Sequence, residues 1–266
     1  MLEKSKYISL ALLMIAAVPL IVFETWLVSS AILLLFAVSL YFIGRVERLR
    51  FVALMLGILI VAATPVNTDL DNAHFAAMVV GYLCSLLVPY LFLRIFDKGV
   101  VTLRLFPEKW RRADVVHTIV NIVGSSIGVS IYLKVLNKDV LANWPLPFEP
   151  QEGIIRLFVG MYLTGFWDEA YNLHTNLAIL SSMFHPIFAN IAQSFIYLSS
   201  LWDLAFRGIG FPFMALFALT QGLLWLRSRA LFWVLVVHFT VELVVFRLII
   251  QAQYPELNYW WLQGNF

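Results

Sequence analysis

GMYLTGFWDEAYNLHTNLAIL, Gly160 to Leu180, is an apolar run long enough to cross a bilayer, yet it contains Asp168, Glu169, Asn172, His174 and Asn176. A second run, ALFWVLVVHFTVELVVFRLII from Ala230 to Ile250, places His238 and Glu242 one helical turn apart, so both project from the same side of a helix. On an insertion scale each Asp or Glu at the bilayer centre costs about 2.5–3.5 kcal/mol, whereas a Leu or Phe returns only about 0.3–0.6. Side chains this costly should face a protein interior, which makes a functional site the default expectation. The fold class read from these stretches is all-α: a polytopic transmembrane helix bundle of about eight or nine spans.

The composition agrees. Of 266 residues, 62% are hydrophobic and only 13% charged, where a soluble domain carries roughly a quarter charged. The mean hydropathy is +0.86. A net charge of +2, with basic residues scattered between apolar runs, excludes a nucleic-acid surface. The single cysteine, Cys84, lies in an apolar run, which excludes a disulfide framework and a cysteine-based metal site. The opening MLEKSKY followed by ISLALLMIAAVPLIVF has the basic start and apolar middle of a signal peptide. No small-x-small cleavage pattern precedes Glu24 and another apolar run follows at once, so the stretch reads as an uncleaved first span.

Nine apolar runs can be drawn, at 7–23, 26–43, 51–66, 75–96, 115–135, 154–179, 187–204, 211–226 and 230–250. They are continuous rather than alternating, which selects helices over a barrel, and the first two can pair as a tight hairpin. The connections alternate in charge. RVERLR at 45–50, DKGVVTLRLFPEKWRR at 97–112 and RSR at 227–229 are basic, while TPVNTDLDNAH at 64–74 and NKDVLANWPLPFEPQEG at 137–153 are acidic or near neutral. The positive-inside rule then places the N-terminus and the basic loops in the cytoplasm. The long basic loop also suits anionic membrane lipid. Three regions follow: N-terminal helices at 1–114, a more polar bundle at 115–251, and an aromatic tail at 252–266, in which Tyr259, Trp260 and Trp261 suit an interfacial anchor.

Polar residues accumulate after residue 114. His117 and Asn121 open the fifth run, and Gly124, Ser125, Ser126, Gly128 and Ser130 give it a face that a neighbouring helix can approach closely. Asn190, Gln193 and Tyr197 form one stripe at spacings of three and four. Such a stripe either bonds between helices or lines the cavity of the acids. Asp203 and Arg207, at the end of that run, read as solvated or paired interfacial charges.

Together the last four runs resemble the CPBP (Abi) family, the CAAX prenyl endopeptidase and bacteriocin-processing intramembrane proteases. That family carries EExxxR on one helix, FxxxH on the next and HxxxN or HxxxD on the last, the last preceded by a run of the type GLLYLRTGSL. Here QGLLWLRSRALFWVLVVHFTVE, Gln221 to Glu242, is similar to that run, and Asp168-Glu169 fall where the paired glutamates stand. The best match spans 160–250. Glu169 and His238 match outright. Asp168 replaces a glutamate, Leu173 the arginine, Leu201 or a neighbour the second-motif histidine, and Glu242 the final Asn or Asp. A registration on Asp203-Leu-Ala-Phe-Arg207 is rejected, because it leaves one helix where two are needed before His238.

The resemblance implies a multi-pass protein of a prokaryotic plasma membrane that cleaves a membrane-associated protein or peptide, with Asp168, Glu169, His238 and Glu242 as the catalytic set. Asp168 or Glu169 would activate a water, and His238 with the residue one turn later would act at the transition state. Adjacent Asp168 and Glu169 differ in direction by about 100° on an α-helix, so at most one is expected to aim centrally. Glu242 in its acid form would donate a hydrogen bond where the family has Asn. His174, Asn190, Gln193 and Tyr197 are candidates for lining the substrate cavity, and His174, His185 or Tyr197 for replacing the missing histidine. Zinc is the cofactor these oxygen and imidazole donors would accept, although no HExxH is present. The alternative reading is an inactive scaffold or chaperone that binds a transmembrane partner. A proton-relaying transporter is weaker, as no inverted repeat is visible.

Overall fold

The structure is a computed structural model describing residues 2–98, 100, 104–137, 140–141, 144–204 and 208–257, without the side chains of Leu2 and Asp203. Arg207 and the aromatic residues Tyr259, Trp260 and Trp261 lie outside the described residues, as does the side chain of Asp203. Among the described residues all regular structure is helical. The helices are α1 (Leu2–Ile21), α2 (Trp26–Ser39), α3 (Arg45–Ala63), α4 (Asn72–Phe96), α5 (Arg112–Ile131), α6 (Pro150–Asp168), α7 (Ala178–Ser181), α8 (Pro186–Ser200), α9 (Gly210–Ser228) and α10 (Leu231–Gln253). A π-helical stretch, Glu169–Leu177, joins α6 to α7 without a break.

Local chemistry sets the boundaries. α1 and α2 form the expected hairpin, which turns at Glu24 with φ at +50° and is tied by the Thr25 hydroxyl donating to the Pro19 carbonyl at 3.1 Å. Asp71 caps α4 by accepting from the amides of His74 and Ala73, and these two donors hold its carboxyl below the usual carboxylate range. Proline stands at the first helical position of α6 and of α8, where its missing N–H costs nothing. With Glu169–Leu177 π-helical, the run expected at 154–179 is not a uniform α-helix. The run expected at 187–204 gives a helix of 15 residues, roughly 22 Å long and short of a bilayer core of about 30 Å.

Among the described residues four helical stretches are long and apolar enough to cross a membrane: Glu3–Ile21, Asn72–Phe96, Arg112–Leu136 and Leu231–Gln253. Outward-facing apolar side chains such as Leu27, Leu34, Tyr41, Val80 and Ile95 cover the bundle well beyond what a water-exposed surface tolerates. This is a membrane protein.

The helices run alternately between two ends. At one end Arg50 pairs with Asp97 at 2.7 Å, the amides of Leu231 and Phe232 donate to the carbonyls of Arg104 and Leu105, Arg229 donates to Ser181, and Tyr7 packs on Phe184 and Phe188. The basic segments and the N-terminal helix thus meet there. At the other end Arg156 donates to the Leu70 carbonyl and to Asn72, and Tyr254 donates to the carbonyls of Leu146 and Phe148. α1 packs on α8, and α4 on the π-helical stretch, so helices before and after residue 114 share one core. On α5, Gly128 meets the Phe213 ring of α9 at a distance that leaves no space for a Cβ, whereas Gly124 faces open space.

Candidate functional site

The π-helical stretch Glu169–Leu177 is buried on every side, as befits a segment in the middle of a bundle. π-helical turns are rare and are frequently found at functional sites. The Thr175 hydroxyl donates to the Ala170 carbonyl, five residues back, at 2.9 Å. The stretch starts at Glu169, where four elements converge. His238 Nδ1 of α10 lies 2.5 Å from Glu169 Oε1, and Gln221 Nε2 of α9 donates to the same oxygen at 3.2 Å. Tyr197 of α8 donates its hydroxyl to it at 3.3 Å and stands 3.3 Å from His238 Nδ1. With Glu169 as acceptor, Nδ1 carries the hydrogen, which leaves Nε2 directed away from Glu169. Nε2 faces Glu242 Oε1 at 3.5 Å, and the Phe217 ring meets the imidazole edge to face at 5.5 Å.

On the Nε2 side lies a cavity of about 100 Å³, lined by Asp168, His238 and Glu242, by Asn67, Thr68, Ser125 and Thr164, and otherwise mostly by apolar side chains. A water needs about 10–15 Å³ by this kind of measure, so the cavity admits several. Oδ1 of Asp168 and Oε2 of Glu242 are buried without a hydrogen-bond partner among the described residues, so the site offers acceptors for a proton, a water or a ligand donor. Gly165 allows this closeness, since a Cβ there would collide with the Glu242 carboxylate. Behind α6, Trp167 stacks on Tyr82 at 4.1 Å and donates to Ser85 at 2.8 Å, which holds the helix bearing Asp168 in rotation.

Several expectations change. Asp168 and Glu169 are both buried, 2% and 0% exposed, although they are neighbours. Asp168 lines the cavity while Glu169 reaches the far side of the imidazole, so one histidine separates their tasks. Asn190 and Gln193 do not join the acids. Asn190 donates to the Leu219 carbonyl at 2.9 Å and Gln193 to that of Ala218 at 3.2 Å, which bonds α8 to α9, and Gly222 makes room for the Asn190 amide. Of the stripe, Tyr197 alone reaches the site. His174 is more than a turn further on and lines a different cavity, accepting from the Arg104 amide at 3.2 Å. His185 is exposed at the start of α8. Neither histidine replaces the missing one, and Leu201 lines the cavity near where it would stand.

The zinc reading does not fit. No three His, Cys, Asp or Glu side chains among the described residues are disposed to hold one ion. Gln221, which opens the run Gln221 to Glu242, is a site residue that the motif pattern does not mark. Its signal is a lone amide within a largely apolar run, flanked by Thr220 and the small Gly222. Comparison with family models, with curated proteins and with solved structures gives no match for this chain.

Proposed function

We propose that the protein is an intramembrane endopeptidase similar to the CPBP type, acting on a membrane-associated protein or peptide. The observation that carries this is the cavity in which Asp168 and Glu242 present unpartnered carboxylate oxygens beside Nε2 of a histidine anchored by Glu169. In the proposed reaction Asp168 takes a proton from a cavity water as its oxygen attacks the scissile carbonyl carbon. His238, as an imidazolium whose Nδ1–H is held by the Glu169 carboxylate, donates its Nε2–H to the oxyanion and keeps both protons through the cycle, and Glu242 in its acid form donates as well. When the C–N bond breaks, Asp168 returns the proton to the leaving amine. Glu169, Tyr197 and Gln221 position the imidazole and touch no reacting atom. The proposed membrane is a prokaryotic plasma membrane crossed eight or nine times, with the basic end cytoplasmic. Reporters fused after Arg112 and after Phe266 are expected on opposite sides.

Leu201 favours a second reading. A cavity wall that carries a hydrocarbon where the family has a histidine lacks one water-activating base, which suits a scaffold that captures a transmembrane partner. Purified wild type, Asp168→Asn and His238→Ala, assayed against a panel of membrane-protein substrates, separate the two. The protease reading expects cleavage by the wild type and a loss of about 10²–10⁴-fold in each variant. No turnover by the wild type, with partner capture from native membranes altered by the substitutions, establishes the scaffold.

A further inference from the structure

A second cavity lies at the basic end, away from the carboxylates. It measures about 460 Å³ and is lined by Arg50, Lys98, Arg104 and Arg229, with Ser181, Trp225 and the buried His174, and with no Asp or Glu among the described residues. This size falls within the range of small-ligand sites. Its four cations come from the start of α3, the segment after α4 and the turn between α9 and α10, so only the folded bundle assembles them. Two of them have acidic neighbours: Arg50 pairs with Asp97 at 2.7 Å and Arg104 with Glu108 at 2.8 Å. Among the described residues, Lys98 and Arg229 have no carboxylate partner.

The cavity is built. The Arg50 guanidinium also donates to the Ser182 carbonyl at 3.2 Å, and the His174 ring holds the backbone of Arg104 through its amide. Arg229 lies over the Trp225 ring at 5.0 Å and donates to Ser181 Oγ at 3.3 Å. Its backbone is left-handed, φ +53° and ψ +31°, at the end of α9, a position where glycine is the usual residue. The arginine adopts this left-handed backbone, and its guanidinium lines the cavity.

We infer that this cavity is a binding site for a phosphate-bearing anion. A phosphate group matches the donors present, because guanidinium forks and a lysine ammonium bind its oxygens through charge-assisted bonds. Two sources share this chemistry: the headgroup of an anionic phospholipid in the adjoining leaflet, and a soluble phosphate compound. Exposed Leu105 and Phe106 beside Arg104 offer apolar surface at the same level, as a lipid headgroup site would require.

The test is native mass spectrometry of the purified full chain with phosphatidylglycerol or phosphatidylcholine, together with thermal unfolding in detergent with and without inorganic phosphate. Retention of phosphatidylglycerol over phosphatidylcholine supports the lipid source. Stabilisation by inorganic phosphate without lipid preference supports the soluble source. In either arm Lys98→Gln and Arg229→Gly are each expected to weaken binding about tenfold or more. Glycine suits the backbone of residue 229, and Lys98 is exposed, so neither change should prevent folding. Lys109→Gln, an exposed cation of the same connection outside the cavity, should leave binding unchanged. The inference is overturned if neither ligand shows an effect, or if Lys109→Gln weakens binding as much as Lys98→Gln.

Discussion

α4 and α10 have the same peak hydropathy, 2.1 over their most apolar windows, yet 28% of that window is buried in α4 and 67% in α10. Equal preference for leaving water has put one helix at the periphery and the other at the centre. The difference lies in a few residues. α10 carries His238, whose partners come from the π-helical stretch, from Tyr197 of α8 and from the Phe217 ring of α9, while α4 presents Val80, Leu83, Leu87 and Leu91 outward. A helix is held centrally here by polar groups that only other helices can satisfy, since lipid and a neighbouring helix are nearly equivalent solvents for leucine.

The sharpest way to break this contrast is to remove the central histidine. His238→Ala takes the nearest donor from Glu169 and should destabilise by about 3–5 kcal/mol, the range for breaking a buried charged pair. Thermal unfolding in detergent measures it, and a midpoint equal to the wild type would mean that the cluster does not hold α10 in place. Next comes an acid without partners on the peripheral helix. Leu83, 53% exposed near the middle of α4, replaced by Asp should lower insertion by about 2.5–3.5 kcal/mol at mid-membrane depth. A glycosylation-mapping insertion assay reads this out, and unchanged insertion would place that face of α4 away from lipid.

A smaller effect is expected where α6 meets α10. Gly165→Ala puts a methyl group against the Glu242 carboxylate and should cost about 1–3 kcal/mol as overpacking. The same substitution at Gly124, which faces open space, should not destabilise. If the two variants unfold alike, the close approach is not tight. The smallest change is Tyr197→Phe, which removes one of the donors to Glu169 at about 0.5–1.5 kcal/mol. A double-mutant cycle with Gln221→Leu tests whether the two act on one oxygen, and strict additivity would show that they do not.

Much of this was legible in the chain. The apolar runs, the alternation of basic and acidic connections and the anomaly of acids within apolar helices follow from residue identity, and Glu169 with His238 stood out for that reason. The part that was not legible concerns direction. Asn190, Gln193 and Tyr197 share a stripe on α8, yet two bond to α9 and one to Glu169, because three residues along a helix also climb about 4.5 Å and meet different neighbours. His174 read as a neighbour of the acids but climbs out of their level into the basic cavity. Nothing in EAYNLHTNL announces π-helical hydrogen bonding.

By itself, then, the sequence determined that the chain forms apolar helices in a membrane and which side chains are too costly to face lipid. Transfer free energy is a property of each residue and adds along a run. Tertiary structure alone decided that Glu169 meets His238, that Asp168 and Glu242 face one cavity, and that cations from three distant segments surround another. Those contacts depend on the rotation and axial offset of whole helices, which packing settles between segments far apart in the chain.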